Sequence, residues 1–128
     1  MKRKRKITEE DRTYTKMAVV AASFAYGVND YDILGDTKAG RVGVARQTAY
    51  WILRKSGMPY TMIAETMGKK CHGSPIHGYK NIENILELDV RNGYAPCVRK
   101  ALKHYKDFYK KYTKVKMKRK IEELENAF

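Results

Sequence analysis

The chain has little proline, cysteine or acid, and it has no long apolar run. Its 128 residues include three prolines, two cysteines and 14 acidic residues against 27 lysines and arginines. Two cysteines cannot build a dense disulfide framework, and their scarcity fits a reducing compartment. No apolar run reaches the roughly 20 residues that span a bilayer, and the N-terminal cations are not followed by the apolar segment of a secretory signal. We therefore expect a cytoplasmic protein.

The surplus of cations, a formal net charge of +13, indicates an anionic partner. A field of this sign attracts polyanions and steers their association. Because the basic residues cluster along the chain, nucleic acid is the favoured partner and a membrane surface is the weaker candidate. A chain of this length suffices for one modest domain with appendages.

Three short helices in a row are predicted between residues 45 and 86, where apolar residues recur at helical spacing. Gly57 closes the first, Pro59 opens the second, and Gly68 ends it. Ser74 is the expected N-cap of the third, which leaves His77, Lys80, Asn81 and Asn84 outside. Its predicted buried face comprises Ile76, Tyr79, Ile82, Ile85 and Leu86. A short helix, a turn and a second helix with a basic N-terminus are typical of a helix-turn-helix DNA reader.

The preceding segment predicts a longer helix, a one- or two-turn helix and a basic loop. Thr8 followed by three acids is a helix start, Gly27 is a stop, and Asn29 caps the short helix. Residues 35–42 have the glycine spacing of a phosphate-binding P-loop. However, Arg41 and Val42 replace the lysine and hydroxyl residue of that motif and no strand precedes it. We therefore expect a flexible basic loop rather than a nucleotide site.

Residues 91–128 predict a long amphipathic basic helix with an acidic tail. Asn92-Gly93 forms the turn and Pro96 starts the helix. Its apolar face comprises Val98, Ala101, Leu102, Tyr105, Tyr109, Tyr112 and Val115. That face packs on the domain or on a second copy, and a membrane-surface helix is the less favoured use. Residues 121–128 either dock a partner or fray, and the sequence leaves both open.

Four segments, in order, resemble the C-terminal DNA-binding domain of the bacterial replication initiator DnaA. They are Ala25-Tyr26-Gly27-Val28, Tyr31-Asp32-Ile33-Leu34, Ala45-Arg46-Gln47 and residues 68–77 (GKKCHGSPIH). The resemblance runs from about residue 16 to residue 90. Cys71, Gly73 and Pro75 stand where the family has an aspartate, a hydroxyl residue and a valine, so we expect a target different from the initiator's usual box.

The resemblance implies a set of DNA contacts. Lys70, His72, Ser74 and His77 would face the major groove, Lys38 and Arg41 the minor groove or backbone, and Arg46 and Gln47 the phosphates. The exposed cations Lys69 and Lys80 complete the expected set. Residue chemistry agrees, because imidazole and hydroxyl groups can read base edges and cations or amides near a helix N-terminus suit a phosphate. The basic arm, residues 1–7, either contacts phosphates or is a solvated tail.

Other chemistries are disfavoured. Zinc would need four converging ligands, and Cys71, His72, His77, Cys97 and His104 show no pair at ligand spacing. No convergent acid–base set indicates an enzyme, so neither a metal nor a cofactor is expected. Trp51 is more plausible as a buried anchor than as a base-stacking residue.

The sequence thus predicts an all-α protein. Residues 8–90 would form a helix-turn-helix domain of the DnaA C-terminal or Trp-repressor-like type, and residues 91–128 a C-terminal amphipathic helix. The expected function is sequence-specific binding of double-stranded DNA, regulating replication initiation or transcription without an ATPase. The expected location is the nucleoid, or the host cytoplasm for a phage-encoded version. The alternatives are a non-specific nucleic-acid-binding protein and a protein-interaction adaptor. The C-terminal helix is also a candidate surface for self-association or for a protein partner.

Overall fold

The structure, a computed structural model, describes residues 6–38, 40–88 and 93–127, and every regular element in these ranges is an α-helix. The helices are α1 (Glu9–Tyr26), α2 (Asp30–Leu34), α3 (Gly40–Lys55), α4 (Tyr60–Thr66), α5 (Gly73–Glu87) and α6 (Ala95–Ala127). The all-α prediction is confirmed. In the described part of the chain, no helix combines the length and the apolar character needed to cross a membrane. Residues 1–5 of the predicted basic arm lie outside the described residues, as does Asn92 of the predicted turn.

The predicted caps of the first two helices are present. The Thr8 side chain accepts from the backbone N–H of Asp11, and the Asp11 carboxylate accepts from the backbone N–H of Thr8, which completes a capping box. Gly27 ends α1 with φ 65°, in the left-handed region that glycine adopts without steric cost. The Asn29 side chain accepts from the N–H of Tyr31 at 2.8 Å. Local side-chain chemistry therefore sets these boundaries.

The start of α3 differs from the prediction. The helix begins at Gly40, five residues before the expected start at Ala45, so the last three residues of the predicted loop at residues 35–42 are helical. Gly43 lies in the early turns of α3, and a Cβ placed there would come within 2.6 Å of the Lys38 carbonyl oxygen. Glycine here allows the loop backbone to pack directly on the helix. One glycine, Gly43, therefore serves a close contact between the helix and the loop before it.

Helix α3 is the centre of the core. It packs against α1 on one side and α5 on another, while α1 also packs along α6. Its buried side chains are Ala45, Arg46, Thr48, Ala49, Tyr50, Trp51, Ile52 and Leu53. The expected burial of Trp51 is confirmed, and its indole N–H donates to Glu83 of α5 at 3.0 Å. Helix α3 therefore joins α1 to α5, while α1 and α6 contact each other directly.

The closest approach of α3 and α5 occurs at Gly78. A Cβ on this residue would lie 2.6 Å from Cδ2 of Tyr50 and 3.1 Å from Cγ of Gln47. Both distances are shorter than ordinary carbon contacts, which fall at about 3.5–4.0 Å. Glycine at position 78 therefore lets the two helices approach and fixes α5 relative to α3.

The first half of α6 packs on the domain and the second half is largely exposed. Ala95, Val98, Ala101 and Tyr105 are buried, and Tyr14 of α1 makes ring contacts further along the helix with Tyr109 and Tyr112. The ring centroids in these pairs are 5.7 and 5.8 Å apart. Further along the helix, Lys116 forms an ion pair with Glu10. Val115, assigned to the packed face by the sequence, is about half exposed, because the apolar surface of α1 ends before this turn.

Candidate nucleic-acid interface

An open groove lies between the loop that follows α2, the first half of α3 and the start of α5. Its volume is about 470 Å³. The groove is lined by Asp36, Lys38, Gly43, Arg46, Gln47, Tyr50, Lys69, Ser74 and His77. Six of the ten predicted DNA contacts are therefore brought to one surface, although they come from three separate segments of the chain.

The N-terminus of α5 opens beside this groove. His72, not Ser74, is the N-cap residue, and it makes no side-chain capping hydrogen bond. The predicted cap at Ser74 is wrong because the carbonyl of His72 already accepts from the N–H of Ile76, which sets the helix start two residues earlier. Ser74 instead lies exposed in the first turn. No acidic residue occupies that turn, so no carboxylate of α5 itself offsets the positive end of the helix dipole there.

One face of α5 presents polar side chains to solvent. His77, Lys80, Asn81 and Asn84 are all exposed, as predicted. Asn81 also donates from its amide nitrogen to the Gln47 side-chain oxygen at 2.5 Å, which ties the exposed face of α5 to α3. Gln47, expected just inside the start of α3, lies two turns into the helix. It therefore lines the groove from the side rather than from a helix end.

Arg46 was predicted to hold phosphates, and the structure gives its side chain a different set of partners. The residue is 7% exposed. Its guanidinium donates to three backbone carbonyls, those of Ile33 at 2.6 Å, Thr37 at 2.7 Å and Asp32 at 3.0 Å. These carbonyls lie at the end of α2 and in the loop after it, where a helix leaves acceptors without intrahelical partners. Arg46 therefore holds the loop through a largely buried guanidinium, and its phosphate contact stays a prediction.

Lys69 is held in the same way. Its side chain is 14% exposed and its ammonium donates to the Gly35 carbonyl at 2.7 Å, with Asp36 3.6 Å away. The Asp36 side chain is fully exposed, so this ion pair adds little stability. The hydrogen bond to Gly35 is the stronger constraint. Lys69 and Arg46 thus attach to the same short segment from opposite sides of the groove.

The remaining cations are accessible. Lys38 is exposed in the loop, and Lys70 and Lys80 are exposed before and along α5. Arg41 lies in the first turn of α3 rather than in a loop, and its Nε donates to the Tyr26 carbonyl at the end of α1 at 2.9 Å. Because Arg41 remains exposed, its other guanidinium donors are accessible to solvent.

Tyr50 also lines the groove, although no role was predicted for it from the sequence. It is 2% exposed, and its hydroxyl is the one buried side-chain polar atom in the described ranges with no hydrogen-bond partner. Burial raises the pKa of Tyr50, which keeps the phenol protonated and able to donate. Tyr50 follows Gln47 by three residues and Arg46 by four, and residues at these spacings lie on the same face of an α-helix. This spacing could have identified Tyr50 as a groove residue.

The described residues hold no cluster of three or more His, Cys, Asp or Glu side chains suited to a metal ion. Cys71 and Cys97 are both free thiols. Neither the protein-family models nor the curated proteins contain a match to this chain.

Proposed function

We propose that this chain is a sequence-specific double-stranded DNA-binding protein of the helix-turn-helix type. In this proposal α4 and α5 form the helix-turn-helix unit, with α5 as the recognition helix. The protein would regulate replication initiation or transcription by occupying sites, without an ATPase. The observation that carries the proposal is that Lys38, Ser74 and His77 line one groove. The groove lies beside the N-terminus of α5, whose first turn contains no acidic residue. The resemblance to the DnaA C-terminal domain supports the same assignment.

The exposed face of α5 would enter the major groove. Ser74 and His77 lie one turn apart on this face, and Lys70 and His72 precede it. Hydroxyl and imidazole groups can donate to and accept from base edges, and lysine pairs with the acceptors of guanine. Because the close packing at Gly78 fixes α5 against α3, these groups are held on a rigid element, as specific recognition requires.

The loop after α2 would contact the backbone or the minor groove. Lys38 is its exposed cation, and a narrow minor groove concentrates negative potential. Arg46 and Lys69 anchor this loop by their hydrogen bonds to its backbone, so we assign them a positioning role. Arg41 and Lys80 remain proposed phosphate contacts, since both are exposed at either side of the groove.

The test is selection from a random duplex library, followed by binding of the selected and scrambled duplexes across a salt series. We expect a recovered motif whose advantage over scrambled DNA persists as salt rises. His77→Ala should then cost about 1–3 kcal/mol at a few base pairs and relax preference there. The matched control is Lys80→Ala, one turn along the same face, which should weaken all duplexes alike and reduce the salt slope by about 1.

Two results would contradict the proposal. Equal, steeply salt-sensitive binding to every duplex would indicate a non-specific nucleic-acid-binding protein. Absence of binding to any nucleic acid by the folded chain would instead indicate a protein-interaction adaptor. If His77→Ala and Lys80→Ala behave identically, α5 does not read bases, even where a motif is recovered.

A further inference from the structure

The second half of α6 carries an apolar stripe on its exposed surface. We define the distal stripe as Tyr109, Thr113, Met117, Ile121 and Leu124, spaced by four, four, four and three residues. This spacing keeps the five side chains on one side of an α-helix. The four large apolar members are between 44% and 58% exposed. Apolar residues repeated along one side of a protruding helix are typical of a helix–helix contact surface.

Beyond Tyr109, whose ring also contacts Tyr14 of α1, the distal stripe lies on a different side of α6 from the one that packs on the domain. The packed side ends at Lys116, whose ammonium pairs with Glu10 in the first turn of α1 at 2.6 Å. Adjacent residues on an α-helix are about 100° apart, so Met117 points well away from α1. Beyond this point residues 117–127 extend past the start of α1 by roughly 16 Å, at 1.5 Å per residue. A projecting helical end of this length gains its stability from packing rather than from propensity.

Charges beside the stripe change sign along the helix. The edge of the stripe carries three lysines in its first part: Lys110, Lys114 and Lys118. The same edge carries two glutamates in its last part: Glu122 and Glu125. All five border the same surface depression as the stripe. A parallel pair of such helices would place lysine beside lysine and glutamate beside glutamate. An antiparallel pair in which Met117 faces Ile121 of a second copy would place Lys114 beside Glu125 and Lys118 beside Glu122. By symmetry each of these pairs forms twice.

We infer that the distal stripe binds a second copy of this chain in an antiparallel helix pair. The occupant is a second copy because the charge pattern is complementary to itself in one orientation only, as a two-fold interface requires. The contact spans a single helix, which is small for a specific interface, so the dimer forms reversibly with concentration. The inference rests on α6 alone and does not depend on the proposed DNA binding.

Sedimentation velocity of the full chain over a wide concentration range tests the inference. We expect a monomer–dimer equilibrium in the wild-type protein, which Ile121→Glu abolishes by placing a charge in the seam. The matched control is Val115→Glu, because Val115 is exposed to a similar extent, 51% against 49% for Ile121, yet lies on another side of the helix. The control should dimerise like the wild type. A monomer at every concentration, or equal loss of the dimer in both variants, overturns the inference.

Disulfide trapping tests the orientation. In chains with Cys71 and Cys97 replaced by serine, Thr113→Cys and Leu124→Cys are prepared separately and then mixed under oxidising conditions. An antiparallel pair joins one variant to the other in the mixture, with little cross-linking of either variant alone. Cross-linking of each variant to itself would indicate a parallel pair and overturn the proposed charge pairing.

Discussion

Replacing Arg46 by alanine tests whether this arginine serves the fold or the DNA. The guanidinium donates to the carbonyls of Asp32, Ile33 and Thr37, and the residue is almost entirely buried. The substitution removes all three donors, so the carbonyls of Ile33 and Thr37 lose the hydrogen bonds from Arg46, while the carbonyl of Asp32 keeps the N–H of Gly35 as a donor. It also removes the buried hydrocarbon stem of the arginine.

The expected cost follows from these contacts. Hydrogen bonds to a charged group contribute about 1.5–3 kcal/mol each, and three that share one side chain are not additive. We therefore expect Arg46→Ala to lower the free energy of unfolding by about 3 kcal/mol, a large share of the 5–15 kcal/mol typical of a domain. Arg46→Lys should recover only part of this loss, since an ammonium cannot reproduce the planar guanidinium geometry.

Urea unfolding measures the effect, followed by far-UV circular dichroism and by the fluorescence of Trp51. Arg41→Ala is the matched control, because Arg41 also donates from α3 to a helix end but makes one such bond, to Tyr26, at an exposed position. Its loss should cost only about 0.5–1 kcal/mol. A fall of less than about 0.5 kcal/mol for Arg46→Ala, within the range of ordinary surface changes, would refute the structural role. DNA affinity that falls while stability stays intact would return Arg46 to the phosphate contacts.

Two further predictions concern the contact between α3 and α5. Gly78→Ala should destabilise the protein by about 1–3 kcal/mol in the same urea assay, because the new methyl group overlaps the buried ring of Tyr50; a stabilised variant would mean that the helices separate freely. Hydrogen bonds from Trp51 and Lys55 hold the pKa of Glu83 below its ordinary value, so this carboxylate stabilises the fold at neutral pH and the contribution is lost as pH falls through the lowered pKa. Glu83→Gln should therefore be less stable than wild type at pH 7. The difference in the free energy of unfolding should be at most about 1 kcal/mol, because the side chain is 41% exposed. The difference should disappear in acid, and a constant difference across the pH range would exclude this linkage.

The cations around the groove divide into two groups. Arg46 and Lys69 donate to backbone carbonyls and are largely buried, whereas Lys38, Lys70 and Lys80 are exposed. Only the exposed group can release counterions from DNA by contacting phosphate. The salt dependence of the proposed DNA binding should therefore be shallower than the total number of basic residues near the groove implies.

Local signals in the sequence were sufficient to predict the helices. The side chains of Thr8 and Asn29 cap the helices beside them, and Gly27 and Gly68 adopt positive φ where stops were expected. The exposed face of α5 also follows from periodicity, because apolar and polar positions alternate with the helical repeat. The prediction failed at the start of α3, where Gly40 and the two residues after it, expected in a loop, are helical.

The sequence by itself determined the helical class, most helix ends and which side of α5 faces solvent, since each depends on residues within one or two turns. Only the tertiary structure decided the partners of Arg46 and Lys69, the contact at Gly78 and the burial of the Tyr50 hydroxyl. The physical reason is that every residue carries a backbone carbonyl and every glycine lacks a side chain. Neither feature tells from the sequence which distant group it will contact. An arginine therefore carries no local mark that distinguishes a phosphate contact from a bond to the end of a distant helix, and its role is settled only when folding brings that helix within hydrogen-bond distance.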